Sequence, residues 1–355
     1  MPGPYPNGRR NECSTRGGVL MLTMDIVWLL IALVIILVGA ELFTNALEHI
    51  GERYVLSEGL VGSVLAAVAT ALPETVVPII AVFFGGASLE VREHVGVGAI
   101  LGSPLMLVSL AMMLIGLAAG SKRGWRTPLK PEISGFLRDL LTFLIAFSIG
   151  FMGLFMPQHP GGIRIIAAAA LIFLYVIYVL NTVRASAMLV HEGHGTRAGQ
   201  MLWLRRLGLK HHLGLELGQL VVALAGIIGG AKLFVYGVEQ IGELTGISVL
   251  VLSLLVIPVA TEMPEKLNSI LWIRRNKDTL AFGNITGALV FQGALLPAFG
   301  MQLGVWQPRE DILWAMGLTF ASALWLLLLA MRRRLTPRLL LVNGLVYLGF
   351  FIIVH

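Results

Sequence analysis

Two hexapeptides hold the residues of this chain best suited to chemistry: ATALPE at 69–74 and ATEMPE at 260–265, 191 residues apart. Each lies inside an apolar run and places a carboxylate, Glu74 or Glu265, near its centre. A charge at the middle of a bilayer costs on the order of 2.5–3.5 kcal/mol on insertion scales, so such residues usually line a pathway or a site. One buried glutamate is readily explained as protonated or paired with a neighbouring helix; two at matching positions read as a site. Pro73 and Pro264 have no N–H, which deprives the carbonyls of Ala69 and Ala260 of their helical partners. Pro78 and Pro258 do the same to the carbonyls of Glu74 and Leu254. Thr70 and Thr261 precede the glutamates by four residues and share their helix face. Each segment therefore offers a carboxylate, a hydroxyl and a freed carbonyl. Two of them face to face make an all-oxygen cage for a hard cation; Ca2+ takes about six to eight oxygens. Neither segment's run holds Cys or His, which argues against zinc or copper.

Other polar groups lie within reach of such a cage. Ser103, Asn284 and Gln292 flank glycines at i, i+4 spacing, Gly98 with Gly102 and Gly283 with Gly287. Small residues so spaced let helices approach closely, and packing is the larger part expected of them. Glu262 offers a third acid. Its plainer role is an i, i+4 ion pair with Lys266, and the two readings weigh about equally.

The elements that must position these groups are membrane helices. The chain has 355 residues, 57% hydrophobic and 13% charged, with a mean hydropathy of +0.84; soluble domains carry about 25% charged residues. Apolar runs fall near 24–47, 59–84, 95–119, 136–156, 163–182, 214–242, 246–273, 279–302, 311–331 and 338–354. Each has the length of a tilted helix crossing a core of about 30 Å. The expected fold is thus all-α, with ten transmembrane helices. Counting Lys and Arg in alternate loops gives 18 on one side and 6 on the other. That places the richer side in the cytoplasm and both termini outside a multi-pass cell-membrane protein. Membrane lipid is its surrounding partner. The net charge of +6 is then a topology signal, with no nucleic-acid site to explain.

The chain also contains itself twice. GAELFTNALEHIGE (39–52) and GAKLFVYGVEQIGE (230–243) share eight of fourteen residues, and the match runs on without a gap to Glu74 and Glu265 with 14 identities in 36. Beyond them the offset falls to 185, where GAILGSPLM (98–106) faces GNITGALVF (283–291). Five spans, an odd number, separate the copies, so the second enters the membrane upside down. Inverted repeats are an architecture of secondary transporters, with the site at the repeat interface. The expected organisation is a disordered tail at 1–23, a first five-helix repeat at 24–182, a cytoplasmic linker at 183–213 and an inverted second repeat at 214–355. Met21 or Met24 is the expected start. Cys13, the lone cysteine, has no partner for an internal disulfide. The linker histidines, His191, His194, His211 and His212, match no standard metal spacing and read as a solvated loop.

On these segments the chain resembles the cation/calcium exchanger family, the sodium/calcium exchangers and their bacterial relatives. That family has two inverted repeats, each with a Gly-Thr-Ser-x-Pro-Glu-like segment followed one helix later by a Gly-Asn-x-x-Gly-Ser-Asn-like one. The resemblance spans both halves. It implies antiport of Ca2+ against Na+ or H+ by alternating access, with Glu74 and Glu265 as the essential acidic ligands, Thr70 and Thr261 beside them, and spans one and six as the helices that slide. The pattern is incomplete here. Its motif serine is Ala71 in one half and Glu262 in the other, its later asparagine or aspartate is Pro104 and Leu289, and Ala99 stands where the second half keeps Asn284.

These features rank the possible functions. A cation antiporter comes first, with Ca2+ moved against Na+; proton coupling is its closest variant, because a buried glutamate can exchange H+ for metal. An enzyme using the two glutamates as an acid–base pair is a remote second class, since no nucleophile–base grouping accompanies them. A channel fits the broken helices but not the inversion. No cofactor motif or phosphate loop is visible, so no nucleotide is expected and the driving energy is an ion gradient.

Overall fold

The computed structural model describes residues 8–71, 102–157, 162–208, 210, 212–245, 262–302, 306, 308 and 310–354. Glu74, Gly98, Ala260 and Thr261 lie outside them, as do parts of the ten expected spans. The described residues form α1 (Gly8–Arg53), α2 (Glu58–Ala71), α3 (Gly102–Arg123), α4 (Ile133–Leu154), α5 (Gly162–Leu189), α6 (Leu213–Thr245), α7 (Met263–Arg274), α8 (Asp278–Gln302), α9 (Glu310–Met331) and α10 (Pro337–Val354). By length and composition seven helical segments can cross a membrane, and α2 and α10 contribute shorter apolar ones. Their outward faces are apolar, as at Leu30, Val34, Ile166, Phe173, Val221 and Leu345. The first helix begins at Gly8, where an irregular tail to residue 23 is expected from the sequence; Pro6 is the last proline before it.

The bundle is organised around α8, which is buried along nearly its whole length. Its small residues explain how it can be. A side chain at Gly283 would sit 2.9 Å from the Ser63 hydroxyl, one at Gly287 would overlap the Ser63 backbone, and one at Gly293 would come within 2.7 Å of Phe143. Gly62 on α2 returns the approach, facing the Leu280 carbonyl. Gly283 and Gly287, expected to pack helices, lie against α2; Gly102 has no described atom near its missing side chain. Both α2 and α3 carry a π-helical turn, Val61–Ala66 and Leu107–Ala111. Such turns offset the register of a helix and frequently mark functional sites.

Asp139 ties this core together. Fully buried on α4, it accepts hydrogen bonds from Ser63 of α2 (2.7 Å), Thr286 of α8 (2.8 Å) and Tyr178 of α5 (3.0 Å). A buried carboxylate needs such partners. The fourth apolar run hides this residue among its hydrophobic neighbours.

At the flank, α1 packs along α6 through two glycines. Gly39 lies against Ala223 and Ile227, and Gly230 against Ala32 and Ile36. Each residue in one set differs from its counterpart in the other by 191 (39 and 230, 32 and 223, 36 and 227), so the crossing is reciprocal and the two helices run antiparallel. This is the contact that a two-fold relation between the copies requires of this pair.

The segment after α5 is not a free solvated loop. A short bridge pairs Ser57 with Gly195, and the chain then lies across the end of α1. Gly199 N–H donates to Glu48, Asn45 donates to the Met201 carbonyl, and the Trp203 N–H donates to Asn45. Gln219 of α6 accepts from Leu204 N–H and donates to Asn45. His191 and His194 lie in a π-helical turn, Val190–His194, directly after α5, and no group of three metal-ligating side chains occurs among the described residues. At the same end Arg275 bonds Glu41 (2.6 Å), Lys277 bonds Glu48 (2.8 Å) and Arg53 bonds Glu216 (2.6 Å).

Candidate cation-binding site

The seventh apolar run, read as one span over 246–273, has a helix start inside it. Glu262 is the N-cap of α7, Pro264 sits in its first turn and Glu265 follows. Proline fits there because the first-turn N–H groups have no helical partner anyway. Glu265 consequently lies at the end of a helix where free N–H groups and the macrodipole favour negative charge.

Three other helices contribute side chains around this turn of α7. Thr70 of α2 stands beside the Glu265 carboxylate. Its hydroxyl donates to the Ala66 carbonyl at 2.9 Å, which leaves the oxygen lone pairs free. Ala69 precedes it, partly buried. On α3, Ser103 lies beside Glu262, and Met106 Sδ is 2.9 Å from Lys266 Nζ. On α8, Asn284 donates its amide to the backbone carbonyl of Glu265 (3.0 Å) and to Ser269 (3.1 Å).

What distinguishes the site is its unused oxygens. Both carboxylate oxygens of Glu265, Oε1 of Glu262, Oδ1 of Asn284 and both amide atoms of Asn268 are buried without a hydrogen-bond partner among the described residues. Buried polar atoms are nearly always paired, so this cluster marks a place where a water, an ion or a residue outside the described set supplies the partners. Asn268 and Ser269 were not singled out by the sequence. Their one signal is position, as Asn268 is one helical turn past Glu265 on α7.

Two sequence candidates need revision. Glu262 pairs with Lys266 at 3.0 Å, the ion-pair reading of the two weighed for it, and its Oε1 has no partner among the described residues. Gln292 is fully buried and its amide is unpaired. It sits eight residues beyond Asn284 on α8, roughly 12 Å along the axis at 1.5 Å per residue. Its backbone is thus set apart from the contact between Asn284 and Glu265. The positions where the family pattern carries serine and a later polar residue, Ala71 and Leu289, are buried apolar wall.

Helices of membrane-spanning length with buried acidic side chains between them define a multi-pass membrane protein. Solved structures share the fold: a sodium-calcium exchanger, NCX_Mj, soaked with Na+ and Ca2+, superposes with a TM-score of 0.70 over 94% of this chain and 99% of that one, at 19% identity. The chain belongs to the sodium/calcium exchanger protein family, whose pattern matches residues 24–184 and 215–355. An uncharacterized membrane protein of Methanocaldococcus jannaschii is 23% identical over 300 residues, covering 80% of this chain and 87% of that protein. The sodium/calcium exchanger MaX1 of Methanosarcina acetivorans is 24% identical over 299 residues, covering 76% and 80%.

Proposed function

We propose that the protein is a secondary active antiporter that exchanges Ca2+ against Na+ by alternating access at a mid-membrane carboxylate site. The observation that carries this reading is the group of unpaired oxygens on Glu265, Glu262, Asn284 and Asn268, with Thr70 beside it. An all-oxygen set of this kind suits a hard cation, and as cargo the ion must bind without being caged permanently. Glu74 completes the set from the first copy, with the threonine and freed carbonyl of each copy alongside. The basic loops face the cytoplasm and both termini face out. The reading is that of a gradient-driven transporter, not an enzyme.

Proton coupling is the second reading, and one observation favours it. Ala71 and Leu289 are fully buried and apolar where the family pattern has sodium-ligating groups. A site that keeps its glutamates while losing hydroxyl and amide ligands is suited to exchange H+ for metal.

Uptake of radiolabelled Ca2+ into proteoliposomes separates the two. With Na+ loaded inside and pH clamped, wild type is expected to accumulate Ca2+ and Glu265→Gln to lose at least roughly tenfold of that rate, the equivalent of about 1.4 kcal/mol. Uptake that ignores Na+ and follows an imposed pH gradient moves the protein to the proton-coupled branch. Absence of uptake under both gradients rules out Ca2+ as the cargo.

A further inference from the structure

The exchanger reading leaves one charged group unused. Lys266 is 5% exposed and stands next to Glu265 in the chain. An ammonium is a strongly hydrated point charge, and a lysine near a membrane interface normally extends its stem to keep that charge in water. Lys266 does the opposite. Its side chain turns back along α7 onto Glu262, one turn earlier, and its ammonium contacts Glu262 Oε2 at 3.0 Å and Met106 Sδ at 2.9 Å. Thioether sulfur is a weak acceptor, so the charge of Glu262 is its main counterpart among the described residues.

The arrangement divides the site into two sides. Glu265 faces Thr70 on α2, and neither of its carboxylate oxygens is tied to a cationic side chain among the described residues. Glu262 faces Ser103 on α3 and already holds a cation, the ammonium. A carboxylate and a sulfur that hold a small positive charge, with a serine hydroxyl beside the carboxylate, form a cation position in their own right. That position is filled by a group tethered to the chain.

We infer that the Lys266 ammonium is a built-in cation that occupies one ion position of the site, so that the transported ions are taken only on the Glu265 side. The inference rests on the exchanger reading for what happens at Glu265. It also accounts for the pairing of charges: Glu262, where the family pattern has serine, brings an additional negative charge and Lys266 cancels it. The lysine then lowers the number of mobile cations that the site accepts by one monovalent equivalent, which sets the charge moved per cycle.

The test counts ions. Purified full-length protein in lipid nanodiscs is equilibrated with radiolabelled Na+ or Ca2+, and bound ions per chain are measured for wild type, Lys266→Met, Lys266→Gln and the double variant Glu262→Gln/Lys266→Met. The expected result is one additional Na+ per chain in Lys266→Met, lost again in the double variant, where the carboxylate is gone too. Lys266→Gln keeps a donor for Glu262 without the charge and is expected to show the same gain, which covers failure of the methionine variant to fold. An unchanged ion count in folded single variants, with Ca2+ binding intact, overturns the inference and leaves the exchanger reading standing. Loss of all binding in folded single variants, or failure of both to fold, also overturns it and makes Lys266 a structural clip. Wild type that binds neither ion, with a gain in Lys266→Met that depends on Glu262, supports the inference and fails the exchanger reading. No binding by any variant overturns both.

Discussion

At the scale of single residues, the chain places carboxylates in several environments, and one of them lends itself to a pH measurement. Glu58 is the residue just ahead of the second apolar run, at the start of α2. Burial pushes its carboxyl up from 4.5 to about 7; Lys277 opposes this, while Glu48 and Asp278 add to it. The fold therefore prefers the neutral acid. Its penalty for the charged form is absent below 4.5, grows as pH rises, and is complete above about 7. At 1.36 kcal/mol per pH unit it amounts to no more than roughly 3 kcal/mol. Glu58→Gln is expected to flatten the fall in thermal midpoint between pH 5 and pH 8 in detergent. Equal slopes for variant and wild type would rule out Glu58 as the source. The charged residues in apolar runs were the legible ones: Glu265, Glu262 and Lys266 stand out because their cost must be offset. Asp139 was equally legible on that ground, yet it has no repeat partner to draw attention to it. Asn268 and Ser269 were not legible, since a neutral amide or hydroxyl in a helix costs little until its burial is known.

Elements were legible to the extent that periodic apolar length decides them. The seven long helical segments coincide with expected spans because about 20 apolar residues in a row have few alternatives. The π-helical turns in α2 and α3 were invisible, since they depend on how a neighbour fits and not on local composition. Close contacts of glycine were partly legible. Gly283 and Gly287 were marked by spacing, while their partner, the Ser63 turn of α2, could be seen only in three dimensions. Gly287 is the tightest test of this packing. A methyl there overlaps the Ser63 backbone, so α2 and α8 must separate. Gly287→Ala is expected to destabilise the protein by about 1–3 kcal/mol, the usual cost of overpacking. A folding-stability assay in detergent reads this directly; a change below roughly 0.5 kcal/mol would mean that the two helices yield freely. Gly102→Ala serves as the control, because nothing described lies near its added methyl.

For the molecule as a whole, the ties between α1 and the turn that joins α7 to α8 form one closure. Arg275 bonds Glu41, and Lys277 bonds Glu48, which also accepts from the Trp272 indole and from the segment after α5. Glu48 is almost fully buried, and a buried ion pair resists the loss of one partner more than an exposed one does. Arg275→Ala/Lys277→Ala is expected to accelerate amide exchange in residues 41–53 by on the order of tenfold, the equivalent of about 1.4 kcal/mol. Unchanged exchange would show that the docked segment alone holds this end shut. The sequence marked the charges but not their pairing, because Glu41 and Arg275 are 234 residues apart.

The reciprocal crossing of α1 and α6 has a thermodynamic consequence. If two copies of one unit face each other, interchanging their conformations produces the opposite arrangement of the whole. For identical copies the two arrangements would be equal in free energy, with an equilibrium constant of one. Preference between them then originates only where the copies differ. Glu41 has Lys232 as its counterpart, and the segment that docks on α1 after α5 exists once. In a molecule of this reciprocal build, differences such as these are what would bias one arrangement over the other.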